Sequence, residues 1–217
     1  FCWSLHDVFA RSLAQRIGPF RMAALVMIAG GILLTGIVIY NGTVWHASTT
    51  AIVEGLLLGL AYGFGVGGLF KAFSMAPLSL VAPVTASYPV LVVVWGVTHG
   101  LVPSAIQWAA VAATLTGAVI VARAGTEDGG INTVLPGKLP ALGFFCLLSA
   151  LGYAASIVLG QNAALSVGEI EATWLSRATA LISILPFMIG ERRPANLEIG
   201  HWGGIFAMAA FDVVGVI

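Results

Sequence analysis

The sequence predicts an all-α integral membrane protein folded as a polytopic helix bundle. Of its 217 residues, 59% are hydrophobic and only 8% are charged, and the mean hydropathy is +1.01. The apolar residues form continuous runs close to the roughly 20 residues that a helix needs to cross a hydrocarbon core of about 30 Å. These runs lack the alternating pattern of membrane barrel strands, and this favours helices, whose backbone polar groups are satisfied within the segment.

Runs of this length predict eight helical segments. Two of them, at the start and the end of the sequence, are expected to be truncated. In chain order, the predicted segments are 1–15, 21–40, 51–73, 78–98, 104–122, 139–160, 172–190 and 200–217.

An internal repeat is indicated by two stretches that align without a gap. FCWSLHDVFARS at 1–12 matches FCLLSALGYAAS at 145–156, and a Gly- and Pro-rich connection at 124–139 separates the halves. The loop after the first segment carries three arginines, whereas its counterpart QNAALSVG carries none, as expected for units of opposite orientation. We therefore predict two inverted five-helix repeats, at 1–123 (helices 1–5) and at 140–217 (helices 6–8), so that eight of ten helices are seen.

The distribution of Lys and Arg predicts the orientation. The connections after odd-numbered segments hold eight basic residues and the others hold none, so the positive-inside rule places the odd-numbered loops, including the linker 124–139, in the cytoplasm. The eight residues are Arg11, Arg16, Arg21, Lys71, Arg123, Lys138, Arg192 and Arg193.

Two prolines interrupt the uncharged segment 78–98. Because Pro83 and Pro89 lack an N–H group, the carbonyls of Ser79 and Thr85 lose their usual donors. We expect a kink that faces the bundle interior, since freed backbone groups are tolerated only against protein or water. Nearby hydroxyls could satisfy the carbonyls, or the kink could line a solute path, and the sequence leaves both interpretations open.

Three ionisable residues lie inside predicted spans, namely Asp7, Arg177 and Asp212. A charge at the centre of a membrane helix costs about 2.5 to 3.5 kcal/mol, so each requires an explanation. Arg177 could extend its charge to the interface while each Asp binds a hydroxyl. Alternatively, they could form a polar site at midplane depth, with a carboxylate that takes a coupling proton and an arginine that binds an anionic group.

Aromatic side chains at Tyr62, Trp95, Tyr153 and Trp174 are candidates for the walls of such a site. The glycine-rich stretch GLLLGLAYGFGVGG at 55–68 has no preceding strand and no following Lys-Ser or Lys-Thr, so it predicts close helix packing rather than nucleotide binding.

The expected partners are the lipid bilayer and a small-molecule solute. A net charge of zero without a basic patch gives no indication of nucleic-acid binding. The four histidines lie on different segments without ligand spacing, so we expect neither a metal nor another cofactor. The sequence leaves a homodimer open.

Several stretches resemble a known transporter family. FSMAPLSLVAPVTASYPVLVVVWG at 73–96, with Gln107-Trp108 and TLTGAVIVA at 114–122, resembles the last two helices of the EamA repeat in the drug/metabolite transporter superfamily, and WSLHDVFARSLAQRIGPFR at 3–21 resembles its first helix. The resemblance implies ten helices in two inverted five-helix units, a central cavity and secondary transport. The chain departs from the family at Gly100-Leu101, where the family often has Gly-Glu, and in the predicted orientation of its start, which the family commonly places inside.

We therefore expect a secondary transporter that moves a small metabolite or drug-like solute by alternating access, with proton coupling left open, in a prokaryotic inner (plasma) membrane. We do not expect an enzyme. Two alternatives remain. A membrane-embedded enzyme would need paired carboxylates with a metal, or Ser with His. A non-transporting scaffold would tolerate neutralisation of its buried charges.

Overall fold

A computed structural model of the chain describes residues 9, 13, 16–41, 48–124, 136–189, 191 and 199–215. The regular structure of these residues is helical throughout, and no strand occurs among them. Besides a short 3₁₀ turn at Pro136–Lys138, the helices are α1 Pro19–Asn41, α2 Thr49–Phe73, α3 Leu78–Thr85, α4 Tyr88–Thr98, α5 Ala105–Ala124, α6 Leu139–Val167, α7 Glu169–Ile189 and α8 Ile199–Val214.

The prediction of an all-helical, polytopic membrane protein is confirmed. Among the described residues, five stretches are long and apolar enough to cross a membrane, and 105–121 within α5 is a shorter apolar helix. The predicted segment 1–15 lies almost entirely outside the described residues. The five spanning stretches are Pro19–Asn41, Thr49–Phe73, Leu80–Thr98, Leu139–Val167 and Glu169–Ile189.

The boundary between α6 and α7 differs from the prediction. The sequence suggested a connection of about ten residues after residue 160, but α6 continues to Val167 and only Gly168 separates it from α7. Gly168 has φ +94, a left-handed conformation that glycine adopts without the steric cost of a Cβ, so the chain turns within one residue.

Two compact units divide the chain. Unit 1 comprises Phe1–Gly63 and Val158–Ile217. Within it, α1 packs against both α7 and α8. The largest fully buried apolar side chains of this unit are Ile17, Met22, Leu34, Ile184, Ile205 and Met208.

Unit 2 comprises Phe64–Ile157. Its core contains Ala72, Val81, Leu142 and Cys146, and α3 packs against α5. The predicted repeats at 1–123 and 140–217 remain a prediction, and most of the predicted linker lies outside the described residues.

The segment 78–98 breaks into two helices, α3 and α4, at the turn formed by Ala86 and Ser87. Pro83 lies inside α3, whereas Pro89 lies in the first turn of α4, where a missing N–H leaves no helical bond unmade.

Two hydroxyl groups satisfy carbonyls next to this break. The Thr85 hydroxyl donates to the carbonyls of Val81 and Ala82, both at 3.1 Å, and the Ser87 hydroxyl donates to that of Val84 at 2.6 Å. These acceptors are not the Ser79 and Thr85 carbonyls that the sequence suggested. A role of the break in a solute path remains a prediction.

Candidate functional site

Two of the predicted intramembrane charges form an ion pair in unit 1. Nη2 of Arg177 on α7 lies 2.7 Å from Oδ2 of Asp212 on α8, and the two side chains are only 6% and 3% exposed. The packing of α1 against both helices holds the partners together. Each charge compensates for part of the free-energy cost of burying the other.

Tyr62 on α2 contacts both members of this pair. Its hydroxyl donates a long hydrogen bond of 3.4 Å to Oδ1 of Asp212. The guanidinium carbon of Arg177 lies 5.7 Å from the centroid of the Tyr62 ring, within the range of a cation–π interaction. We call Tyr62, Arg177 and Asp212 the charged triad. The sequence singled out all three residues but did not establish which of them would be in contact.

The charged triad retains unused hydrogen-bonding capacity. Nε of Arg177 and Oδ2 of Asp212 are buried and have no hydrogen-bond partner among the described residues. The close contact between Nη2 and Oδ2 is therefore ionic rather than a well-aligned hydrogen bond. Because buried polar atoms nearly always have partners, the triad can offer a donor and an acceptor to a small polar group.

Adjacent glycines of α1 border the triad, and the sequence interpretation missed them. A Cβ added to Gly30 would lie 3.7 Å from Oδ2 of Asp212, and one added to Gly31 would lie 3.7 Å from Cβ of Arg177. The signal that could have identified them is the pair itself, because two adjacent glycines interrupt a helix otherwise rich in larger apolar residues.

Trp174 lies one turn before Arg177 on α7. Its Nε1 donates to Oγ1 of Thr35 at 2.7 Å, and the Thr35 hydroxyl donates to the carbonyl of Gly31 at 2.7 Å. Trp174 therefore joins α7 to α1 close to the charged triad. Thr35 is a second residue that the sequence interpretation missed, because a Thr in an apolar helix gives no sign of its partner.

Glycines of α2 bring Tyr62 close to α7. A Cβ added to Gly59 or Gly63 would collide with backbone oxygens of α7, so the two helices approach too closely for any side chain at these positions. The Thr179 hydroxyl donates to the Leu56 carbonyl at 2.7 Å across the same contact. The close packing that the sequence predicted for this stretch is thus observed at Gly59 and Gly63.

The remaining predicted site residues lie elsewhere. In unit 2, the rings of Tyr153 and Tyr88 are 5.7 Å apart. Trp95 is 52% exposed, and the centroid of its ring lies 4.1 Å from that of His99. Roles of Tyr153 and Trp95 as walls of a cavity remain predictions, and Asp7 lies outside the described residues. Within the described part of the chain, no His, Cys, Asp and Glu side chains group in a way that could hold a metal ion.

Comparison with known proteins identifies one family. The EamA-like transporter family matches residues 1–123, more than half of the 217 residues. No match is found among curated proteins or among solved structures. Tyr62 lies within the matched range, whereas Arg177 and Asp212 lie beyond it. The resemblance recognised from the sequence motifs is therefore confirmed.

Proposed function

Because the chain belongs to the EamA-like transporter family, we propose that this integral membrane protein is a secondary transporter. It moves a small metabolite or drug-like solute across a prokaryotic inner membrane by alternating access. The charged triad is the polar centre of the solute path. The single observation that carries this assignment is the buried contact of 2.7 Å between Arg177 and Asp212 in a bundle of apolar helices.

A purely structural role does not explain such a pair well. Replacing a buried ion pair by well-packed apolar residues is often neutral or stabilising, so packing alone gives no reason to have charges here. Ionisable residues inside membrane spans typically mark solute or ion pathways. The triad also has two polar atoms without a hydrogen-bond partner in the part of the chain that the structure describes, Arg177 Nε and Asp212 Oδ2, and these could bind a polar group.

The same pair supports the proposal that transport is coupled to protons. A proton on Asp212 would remove the counter-charge of Arg177 and leave a buried, unpaired guanidinium, which is strongly unfavourable. A movement that admits water to Arg177 would relieve this cost. Protonation of Asp212 would therefore favour one conformation of the transporter over the other, and a pH gradient could drive transport in one direction.

The test begins with the solute. A metabolite-resolved comparison of uptake and efflux, in cells with and without the full-length gene, identifies candidate solutes. Transport of the best candidate is then measured in sealed membrane vesicles under an imposed pH gradient. The variants are Asp212→Asn and the double variant Arg177→Gln with Asp212→Asn, which carries no unpaired charge.

We expect both variants to lose accumulation driven by the pH gradient, while the double variant still equilibrates solute down its own gradient. If Asp212→Asn concentrates solute with unchanged pH dependence, the coupling role is wrong. If the double variant and the parent both leave every solute unchanged relative to cells without the gene, the protein behaves as the non-transporting scaffold.

A further inference from the structure

Gly30 stands out among the α1 residues next to the charged triad. It is buried, and among the described residues a Cβ added to it would meet only Oδ2 of Asp212 at 3.7 Å and Cγ2 of Val213 at 3.8 Å. Both are ordinary van der Waals distances, so a methyl group would fit without displacing an atom. The missing side chain therefore leaves room for about one methyl group next to Oδ2, which is itself buried.

The neighbouring Gly31 has a different environment. A Cβ there would lie 3.7 Å and 3.9 Å from Cβ and Cγ of Arg177, which belong to the aliphatic part of that side chain. Only position 30 of this pair faces a charged atom. Substitutions at Gly30 and Gly31 should therefore affect the charged triad differently, although the two residues are adjacent and lie at nearly the same depth in the membrane.

The carboxylate oxygen next to Gly30 lacks a hydrogen bond. Oδ2 of Asp212 and Nε of Arg177 have no hydrogen-bond partner in the described part of the chain, and their side chains are more than nine-tenths buried. Oδ2 contacts Nη2 of Arg177 at 2.7 Å, but a buried acceptor without a well-aligned donor is unfavourable unless a water molecule or a ligand completes its hydrogen bonding. Oδ2 of Asp212 therefore lacks a hydrogen bond on a surface where Gly30 leaves space, and this combination indicates that a polar group of a ligand binds there.

We propose that the space beside Gly30 receives a hydrogen-bonding group of the transported solute that has no net charge, such as a hydroxyl or a carboxamide. This inference rests on the proposed transport function and assigns the class of group that the site accepts. Gly30 is a specificity-determining position, because any side chain there would fill the space next to Oδ2 and reduce the size of the group admitted.

The preference of this site for a group without net charge follows from the pairing of Arg177 with Asp212. Their charges cancel at short range, so an anion drawn to the guanidinium is repelled by the carboxylate, and a cation meets the reverse. A charged group that entered the membrane to reach this site would therefore lose its hydration and find no free counter-charge to compensate for the loss. A group with one donor and one acceptor can instead bind Oδ2 and Nε without separating the pair.

Thiol labelling tests this inference without knowledge of the solute. Gly30→Cys is made in the full chain after both native cysteines are replaced by alanine, and membrane vesicles are treated with methanethiosulfonate reagents. The reagents carry a neutral hydroxyethyl, an anionic sulfonatoethyl or a cationic trimethylammonioethyl group. Each labelling rate is divided by the rate of the same reagent with free cysteine in solution, which removes differences in intrinsic reactivity.

Two positions serve as matched controls. Gly31→Cys places a thiol against the aliphatic stem of Arg177, and Ile32→Cys places one at a residue that is 65% exposed on the surface of the bundle. Val213→Cys is a second probe of the space beside Gly30, and it remains informative if Gly30→Cys does not insert, because it removes atoms from a packed position rather than adding them.

We expect the neutral reagent to label positions 30 and 213 at least about tenfold faster than position 32, and about tenfold faster than either charged reagent labels positions 30 and 213. Neutral labelling that is no faster at positions 30 and 213 than at position 32 would show that no polar group enters there. An anionic or cationic reagent that reacts as fast as the neutral one would overturn the charge preference. Labelling does not require transport, so failure of the proposed function and failure of this inference are separate results.

Discussion

Trp174 on α7 donates a hydrogen bond of 2.7 Å from Nε1 to Oγ1 of Thr35 on α1. Because Thr35 donates in turn to the Gly31 carbonyl, the bond fixes α7 to α1 one turn from Arg177. Lipid offers apolar side chains the same environment as protein, so polar contacts of this kind contribute to helix association in a membrane. The hydrogen bond between Trp174 and Thr35 therefore helps to hold this part of α7 in place without involving the guanidinium group of Arg177.

The Trp174 and Thr35 side chains should therefore be energetically coupled. Trp174→Phe keeps most of the ring volume but removes the N–H group, and Thr35→Val keeps the shape but removes the acceptor. We expect a coupling energy of about 0.6 kcal/mol and not above about 1.7 kcal/mol, which are the mean and the maximum found for hydrogen bonds between membrane helices. Thermal or denaturant unfolding of the purified protein and its three variants measures it. Strictly additive effects would show that the bond does not contribute to stability.

A methyl group at Gly59 should be poorly tolerated. It would collide with the Ser176 carbonyl and the Thr179 hydroxyl, so α2 would have to move away from α7. Overpacking typically costs about 1 to 3 kcal/mol. The matched control is Gly36→Ala, where nothing lies within 4 Å and the better helix propensity of alanine should stabilise by up to about 1 kcal/mol. Equal melting temperatures for the two variants would contradict the close packing.

The pair of Arg177 and Asp212 predicts strong non-additivity in stability. Asp212→Asn leaves a buried guanidinium without its counter-charge and should cost about 3 to 5 kcal/mol. Adding Arg177→Gln should restore most of this loss, because no unpaired charge then remains. Unfolding of the parent, both single variants and the double variant provides the thermodynamic cycle. A double variant as unstable as the sum of the single variants would mean that the two side chains act independently.

The start of α1 depends on the carboxylate of Glu191, which follows the end of α7. Oε2 of Glu191 accepts a hydrogen bond of 3.3 Å from the Arg21 backbone N–H. Glu191→Ala should therefore increase hydrogen exchange in the first turn of α1 and destabilise the protein by about 0.5 to 2 kcal/mol, while Glu191→Gln keeps an acceptor and should have a smaller effect. Unchanged exchange in the alanine variant would contradict this capping role.

Gly18 makes room for the same carboxylate. Its φ is +91, and a Cβ at this position would overlap the carboxylate of Glu191. Gly18→Ala should cost about 1 to 2 kcal/mol from the backbone conformation alone. In the Glu191→Ala background, the steric part of the effect should disappear and the conformational part should remain, which unfolding measurements of the single and double variants can separate.

The membrane orientation is open to a direct test. The count of basic residues predicts that Arg16, the connection at 125–138 and Arg192 face the cytoplasm, and that Asn41 and Ser166 face outward. Single cysteines in a background without native cysteines can be labelled with an impermeant reagent from outside. We expect labelling at position 43 and none at position 130. The opposite pattern would reverse the orientation.

The sequence by itself determined that this is a helical membrane protein, because crossing a bilayer depends on the transfer free energy of one segment at a time. It also predicted a kink in the segment 78–98 at Pro83 and Pro89, because each proline lacks the N–H group that a continuous helix uses. Arg177 and Asp212 could be recognised for a similar reason, since the cost of an intramembrane charge does not depend on knowing its partner.

Only the tertiary structure decided which of these residues meet. Tyr62 and Asp212 are 150 positions apart, and their contact depends on how closely α2, α7 and α8 approach one another. The pattern of apolar residues cannot specify that approach, because lipid and protein offer an apolar side chain nearly the same environment. The approach is set instead by the shapes of small residues such as Gly59 and Gly63, whose role is visible only when the opposing surface is known.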